Sequence, residues 1–289
     1  MKNGDMGREK EIHKILNQVT ALLKSCSMDN PSKEAEALIA GVLDIDTSVL
    51  YSGSLIISDQ QMDTISSAAE RRLKGEPLQY IIGHLDFLGL KIKVGDGVLI
   101  PRPETELLAE KVIEYLKIKA GPVSVLDLCT GSGCIALAIA SHFPNADVCG
   151  VEQSDAAFRY AIANADSNDI CNVRFFKGDL FSPVEGEKFD VIVSNPPYIR
   201  TKDISGLQRE IRDYEPVGAL DGGEDGLVFY RRIFSGAKEY LKPSGLLVLE
   251  IGHDQSDDIR KIALDNGFID IAFHKDYSAI ERIFWGFSA

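Results

Sequence analysis

The strand-like run Phe189-Asp190-Val191-Ile192-Val193-Ser194 ends in Asn195-Pro196-Pro197-Tyr198. A planar –NH2 attached to a carbonyl or an aromatic ring is a poor nucleophile, because its lone pair is delocalised. The Asn195 side-chain oxygen and the Pro196 backbone carbonyl can each accept one N–H of such a group. Two prolines stiffen the backbone that carries these acceptors, and Tyr198 is placed to pack on the planar group. The nitrogen would then be held in line with a methyl sulfonium. No titrating base is needed, because the proton leaves once the nitrogen becomes cationic, so positioning and electrostatics supply the rate. A strand merely stopped by two prolines leaves this combination of four residues unused.

A second group lies upstream. Asp127-Leu-Cys-Thr-Gly131-Ser-Gly133-Cys-Ile-Ala136 sits between a strand pattern and a helix pattern. Glycines at 131 and 133 allow a tight turn and close backbone approach to a ligand, and Ala136 allows close helix–strand packing. Alone, the pattern is shared by dinucleotide enzymes, adenosylmethionine enzymes and ligand-free turns. Glu152 ends the next strand, 21 residues beyond Gly131, where an acid accepts hydrogen bonds from ribose hydroxyls. Asp127 lies inside an otherwise apolar strand end; a nicotinamide needs no carboxylate there, whereas a ligand with an ammonium group is helped by one. Asp179, in Gly178-Asp179-Leu180-Phe181, is placed either to reach an adenine amino group or to serve as an exposed turn aspartate.

These residues need a scaffold that brings strand ends together. Residues 8–27 carry Ile12, Ile15, Leu16, Val19, Leu22 and Leu23 at helical steps; a second helix opens at Pro31 and a third runs from about Asp59 to Leu73. Between Gly83 and Gly97 short β-like pieces form a hairpin. From Pro103, which suits a first helical position, strands and helices alternate: strands at Val123–Leu128, Ala146–Glu152, Val173–Lys177, Phe189–Ser194 and Gly245–Ile251, with two more at Ile269–His274 and Glu281–Phe287. The expectation is an α/β fold with a doubly wound, mostly parallel sheet and one antiparallel strand, preceded by a small helical bundle. The boundaries fall at 1–82 for the bundle, 83–100 for the hairpin linker and 101–289 for the α/β domain.

Composition narrows the function. The chain has 289 residues, 31 basic and 44 acidic side chains and a net charge of −13. Residues 1–84 hold 9 basic and 12 acidic groups, so neither half is the basic footprint that phosphate neutralisation requires. The start has no apolar signal segment, no window is apolar enough to span a membrane, and five cysteines (Cys26, Cys129, Cys134, Cys149, Cys171) with five histidines show no metal-ligand spacing. A cytoplasmic, metal-free protein with reduced, mostly buried thiols is expected.

Further segments carry a family resemblance: Gly75-Glu-Pro77-Leu-Gln79-Tyr80-Ile-Ile-Gly83, Pro101-Arg102-Pro103-Glu104-Thr105-Glu106, Asp221-Gly-Gly-Glu224-Asp225-Gly226-Leu227 and Leu249-Glu250-Ile251-Gly252. Together with Asn195–Tyr198, they resemble the PrmC/HemK family of protein-(glutamine-N5) methyltransferases, which modify class I peptide chain release factors. The resemblance implies a class I S-adenosylmethionine-dependent methyltransferase with a Rossmann-like seven-stranded sheet. It implies S-adenosylmethionine held by Cys129, Thr130, Gly131, Ser132, Gly133, Glu152 and the region of Leu180. The glutamine of a Gly-Gly-Gln tip would be held by Asn195, Pro196, Pro197 and Tyr198, and the bundle would dock the release factor. Three positions depart from the pattern: Cys129 stands where glycine is common, Glu152 where Asp is frequent, and Leu180 where an aromatic often sits. The first two are mild substitutions by this reasoning, and the third loosens adenine packing. Arg102 and Thr105 serve either the pocket or a helix start; Glu250 leans toward a structural carboxylate, and Gln79 and Tyr80 toward interdomain packing. An adenine-N6 nucleic-acid methyltransferase shares the Asn-Pro-Pro-Tyr chemistry but needs phosphate contacts that a −13 chain does not advertise. A guanine methyltransferase acting on ribosomal RNA fails similarly, a dehydrogenase leaves Asn195–Tyr198 unexplained, and a non-catalytic binder of adenosylmethionine wastes it.

Overall fold

The computed structural model describes residues 5–25, 30–52, 55, 57–119 and 121–289, with side chains from residue 12 onward. Cys26 lies outside the described residues. The chain divides into two units: residues 1–83 with Arg209–Tyr214, and residues 84–208 with 215–289.

The first unit is helical. Helices α1 (Asp5–Ser25), α2 (Pro31–Leu43), α3 (Asp59–Leu73) and the short α4 (Leu78–Ile82) bury Ile12, Leu16, Val19, Leu23, Leu38, Ile39 and Ile65 in one core. Ser58 opens α3 with a capping box, its hydroxyl accepting from the Gln61 N–H while the Gln61 side chain accepts from Ser58 N. Leu22, grouped by spacing with the apolar stripe, is 46% exposed, because Val19 and Leu23 define the buried line and Leu22 is rotated off it. A later segment, α8 (Arg209–Tyr214), belongs to this unit. Arg72, nearly buried, pairs with Glu34 at 2.5 Å and with Glu210 of α8 at 2.8 Å, and the Tyr214 hydroxyl donates to the Lys74 carbonyl.

The second unit begins with the hairpin β1 (His84–Phe87) and β2 (Leu90–Lys93). Then follow α5 (Pro103–Lys117), β3 (Ser124–Leu128), α6 (Cys134–His142), β4 (Asp147–Glu152), α7 (Asp155–Ser167), β5 (Val173–Lys177) and β6 (Phe189–Ser194). After α8 come α9 (Val228–Tyr240), β7 (Leu241–Glu250), α10 (Ser256–Asp265), β8 (Phe268–Lys275) and β9 (Glu281–Ser288). Seven strands form one sheet in the order β5-β4-β3-β6-β7-β9-β8. β9 is antiparallel to both neighbours and the other pairings are parallel, so the expected single antiparallel strand is β9. The buried strands read as nearly continuous apolar runs because helices cover both faces. Order reverses at β3, the point at which an open α/β sheet leaves a crevice.

Register fixes what lines that crevice. Leu128 pairs with Val151 on one side and Ser194 on the other, and Ser194 pairs with Leu249. Cys129, Glu152, Asn195 and Glu250 each lie one residue further, so four strands deliver them together at the carboxyl edge.

Candidate active site

A cavity of about 480 Å³ opens at this edge. The turn after β3 supplies Cys129, Thr130, Gly131 and Ser132; the end of β4 supplies Glu152; the turn after β5 supplies Asp179 and Leu180; the segment after β6 supplies Asn195 and Pro197. Thr105 from the first turn of α5, with Leu99, Pro101, Gly218, Ala219 and Phe229, completes the wall.

The turn is built on left-handed backbone. Cys129 has φ +56°, Gly131 +59° and Gly133 +82°. A Cβ on Gly133 would lie 2.9 Å from Phe175 and 3.3 Å from Ala161, so glycine is required there for close packing as well as for conformation. Gly133 caps α6 instead of lining the cavity. Cys129 corrects the view of that substitution as mild: a Cβ in the left-handed region costs about 1–2 kcal/mol. Leu180 is likewise at φ +47°, a strain no sequence pattern reveals. Burial pushes the Cys129 and Cys134 thiols well above their usual range, and raises that of Cys149 to about 12. Cys134 and Cys149 are buried, Cys129 is half-buried and Cys171 is exposed. Asp147, Cys149 and Glu187 bring ligand-type atoms within 4.8 Å of one another, but the Arg174 guanidinium pairs with both carboxylates.

Glu152 uses its two oxygens to hold the turn: Oε2 accepts from Gly131 N at 2.9 Å and Oε1 from Ser154 N at 2.7 Å. Each oxygen retains acceptor capacity, and Glu152 lines the cavity. Asp179 lines the cavity and pairs with Arg232 at 2.6 Å, while Arg232 lies 5.9 Å from the Phe229 ring centre. Asp127 is fully buried beneath the turn and is not among the residues that line the cavity. Its Oδ2 accepts from Thr130 Oγ1 at 2.5 Å and from Ala136 N at 3.2 Å, whereas Oδ1 has no partner. Desolvation raises its pKa to about 7, against the lowering effect of those two hydrogen bonds.

Asn195 is half-buried at the opposite wall. Its Nδ2 donates to Thr105 Oγ1 at 3.1 Å, and Thr105 donates to Glu250 Oε2 at 2.7 Å. The Tyr198 hydroxyl donates to Glu250 Oε1 at 3.2 Å. Tyr198 and Pro196 are not among the lining residues; the Tyr198 ring packs against the core. Glu250 is buried, and desolvation raises its pKa to about 7. Thr105 and Glu250, ambiguous in the sequence, thus join Asn195 in one network across 145 residues of chain.

Two further supports escaped the sequence reading. Gln255 donates from Nε2 to the carbonyls of Tyr198 and Gly226 and accepts from Gly252 N. A Cβ on Gly222 would meet the Tyr198 Cα at 2.7 Å, and one on Gly226 the Tyr198 carbonyl at 2.5 Å, which explains two of the three glycines of Asp221–Leu227. Glu215, also buried, accepts from Ile100 N at 3.1 Å and pairs with Arg102, pinning the segment before Thr105. Only the glycine-rich spacing signalled any of this.

Comparison with known proteins gives consistent results. Residues 14–83 match the PrmC N-terminal domain and residues 104–211 the methyltransferase small domain. The chain is 48% identical over 271 residues to the release factor glutamine methyltransferase of Thermodesulfovibrio yellowstonii, covering 93% of this chain and 96% of the relative. It is 41% identical over 276 residues to the protein of the same name from Geobacter sulfurreducens, covering 95% and 96%. Among solved structures, a methyltransferase from Pyrococcus furiosus aligns with a TM-score of 0.52 at 21% identity, covering 80% of this chain and 98% of that one, which shows the shared fold.

Proposed function

This chain belongs to the release factor glutamine methyltransferase family, and we propose on that footing that it methylates the side-chain amide nitrogen of the glutamine in a class I release factor. The observation that carries this reading is Asn195: its NH2 is engaged by Thr105, which leaves its carbonyl to accept an N–H from a planar acceptor.

The residues present fit S-adenosylmethionine, which when bound supplies the electrophilic methyl group. Asp127 Oδ1, buried without a partner, suits an ammonium group. Cys129, Thr130, Gly131 and Ser132 would follow the amino-acid part, with Gly133 fixing the start of α6. Glu152 would accept from ribose hydroxyls, and Asp179 and Leu180 would flank the adenine. Asn195, Pro196 and Pro197 would place the amide nitrogen, with Tyr198 acting through Glu250. Their work is orientation and exclusion of water, so most of the rate comes from geometry. The helical unit, residues 1–82, would dock the release factor. The acid excess opposes stable nucleic-acid binding; the cytoplasm is the compartment this function implies, and no metal is required. Among the described residues no helix is long and apolar enough to cross a membrane.

The test is incubation with methyl-labelled S-adenosylmethionine, a class I release factor and duplex DNA together. Label on the release-factor glutamine is expected. Label on adenine instead would overturn the proposal in favour of an N6-adenine enzyme.

A further inference from the structure

Asn195 can serve an amide N–H only if its carbonyl, not its NH2, faces the acceptor. The two ends of a carboxamide have nearly the same shape, so the choice is made by hydrogen bonding. One neighbour makes it here. Thr105 Oγ1 lies 3.1 Å from Asn195 Nδ2 and 2.7 Å from Glu250 Oε2. A hydroxyl has one hydrogen, and while Glu250 is a carboxylate both its oxygens only accept. Thr105 must then donate to Glu250 and can only accept from Asn195, which turns the Asn195 carbonyl away from Thr105. Tyr198 donates to the other Glu250 oxygen, so neither carboxylate oxygen is left without a donor.

We propose that Glu250 and Thr105 are positioning residues forming a proton-directed relay, in which ionised Glu250 sets the Asn195 carboxamide with its carbonyl toward the acceptor amide. The proposal rests on the glutamine-methylation reading of the same site. With Glu250 protonated on Oε2, the direction reverses: Glu250 donates to Thr105, Thr105 is free to donate to Asn195 Oδ1, and the NH2 then faces an N–H of the substrate. No bond to carbon changes; one proton on Glu250 and the rotation of two groups are sufficient.

The surroundings place this switch in the neutral range. Burial is the largest influence on Glu250 and raises its pKa to about 7, against the hydrogen bonds from Thr105 and Tyr198. Glu104 on α5 raises it further and Arg282 on β9 lowers it; Arg282 is itself paired with Asp276. From α9 the Tyr230 hydroxyl donates to the Glu250 backbone carbonyl at 2.8 Å, and from α6 the Cys134 thiol, held neutral by burial, faces the same carboxylate.

The test follows the Asn195 side-chain amide by 15N–1H spectroscopy between pH 5.5 and 8.5, assigned by its loss in Asn195→Asp, beside single-turnover methyl transfer to the release factor at S-adenosylmethionine concentrations that saturate the enzyme at every pH. In the wild-type protein the Asn195 resonances and the rate are expected to titrate together, the rate rising with pH. Thr105→Val is expected to abolish that titration and lower kcat about tenfold, the worth of one buried hydrogen bond, with KM for the release factor unchanged. Thr105→Ser, which keeps the hydroxyl, restores the titration, and Glu250→Gln removes it. An Asn195 amide that ignores pH in the wild type, or that titrates equally in Thr105→Val, overturns the relay. The wild-type spectrum decides even if a variant does not fold. Absence of methyl transfer to the release factor, with the Asn195 titration intact, would sink the function and leave the relay standing.

Discussion

Asp127 offers a quantitative prediction about ligand capture. Its carboxyl is buried with one oxygen unpartnered, and its pKa is raised from 3.8 to about 7. Because the folded state favours the protonated form, this group costs nothing below about pH 4 and lowers stability as pH rises toward 7, by about 4 kcal/mol in all. An ammonium group docked beside Oδ1 removes the reason for the shift, so binding must expel the proton wherever the free protein holds it. Affinity should therefore strengthen about fifteenfold between pH 5.5 and pH 7.0, with close to one proton released per ligand at pH 6. Calorimetry with S-adenosylhomocysteine in buffers of different ionisation enthalpy measures both quantities. Asp127→Asn keeps the shape, and it should flatten the pH dependence and weaken binding at pH 7 by roughly tenfold to a hundredfold, as expected for losing a hydrogen bond to a charged group. Equal wild-type affinity at the two pH values, or an unchanged profile in Asp127→Asn, would refute the assignment.

Asn195→Ala should lower single-turnover methyl transfer by at least roughly a hundredfold, while calorimetric affinity for S-adenosylhomocysteine stays within a few fold. Near-normal transfer would remove its role. Cys129→Gly should leave stability to urea unchanged or raise it, because relief of left-handed strain outweighs a small loss of packing; Cys129→Val should destabilise by about 1–2 kcal/mol, since a β-branched side chain fits that region worst. Gly226→Ala combines φ +76° with a Cβ 2.5 Å from the Tyr198 carbonyl. It should cost about 2–3 kcal/mol and depress kcat more than cofactor affinity, and a variant with wild-type stability and rate would show the contact to be unimportant.

Much of this molecule is written in local pattern. The span of α3, the start of α5 at Pro103 and the ends of β5 and β6 follow from periodicity, proline placement and apolar runs, and the one reversed strand follows from two strands with no helix between them. Local pattern fails where the partner is distant. The Glu250 carboxylate looks like any buried acid until Thr105 and Tyr198 are brought to its two oxygens. Gln255 precedes α10 without any mark of its role, and α8 is six residues of mixed charge with no buried face to announce it. Backbone strain at Cys129 and Leu180 is invisible for another reason: neither residue type favours the left-handed region that the turn imposes.

The assignment of α8 to the helical unit has a consequence for synthesis. Residues 1–83 emerge before residues 209–214, the segment that supplies Glu210 to Arg72 and Tyr214 to the Lys74 carbonyl. At translation rates of ~5–20 residues per second, the nascent bundle waits on the order of ten seconds for its last piece. During that interval Arg72, nearly enclosed in the finished protein, has Glu34 but not Glu210. The amino-terminal unit therefore matures only after strands β3 to β6 have been made, which orders the birth of the two units in time.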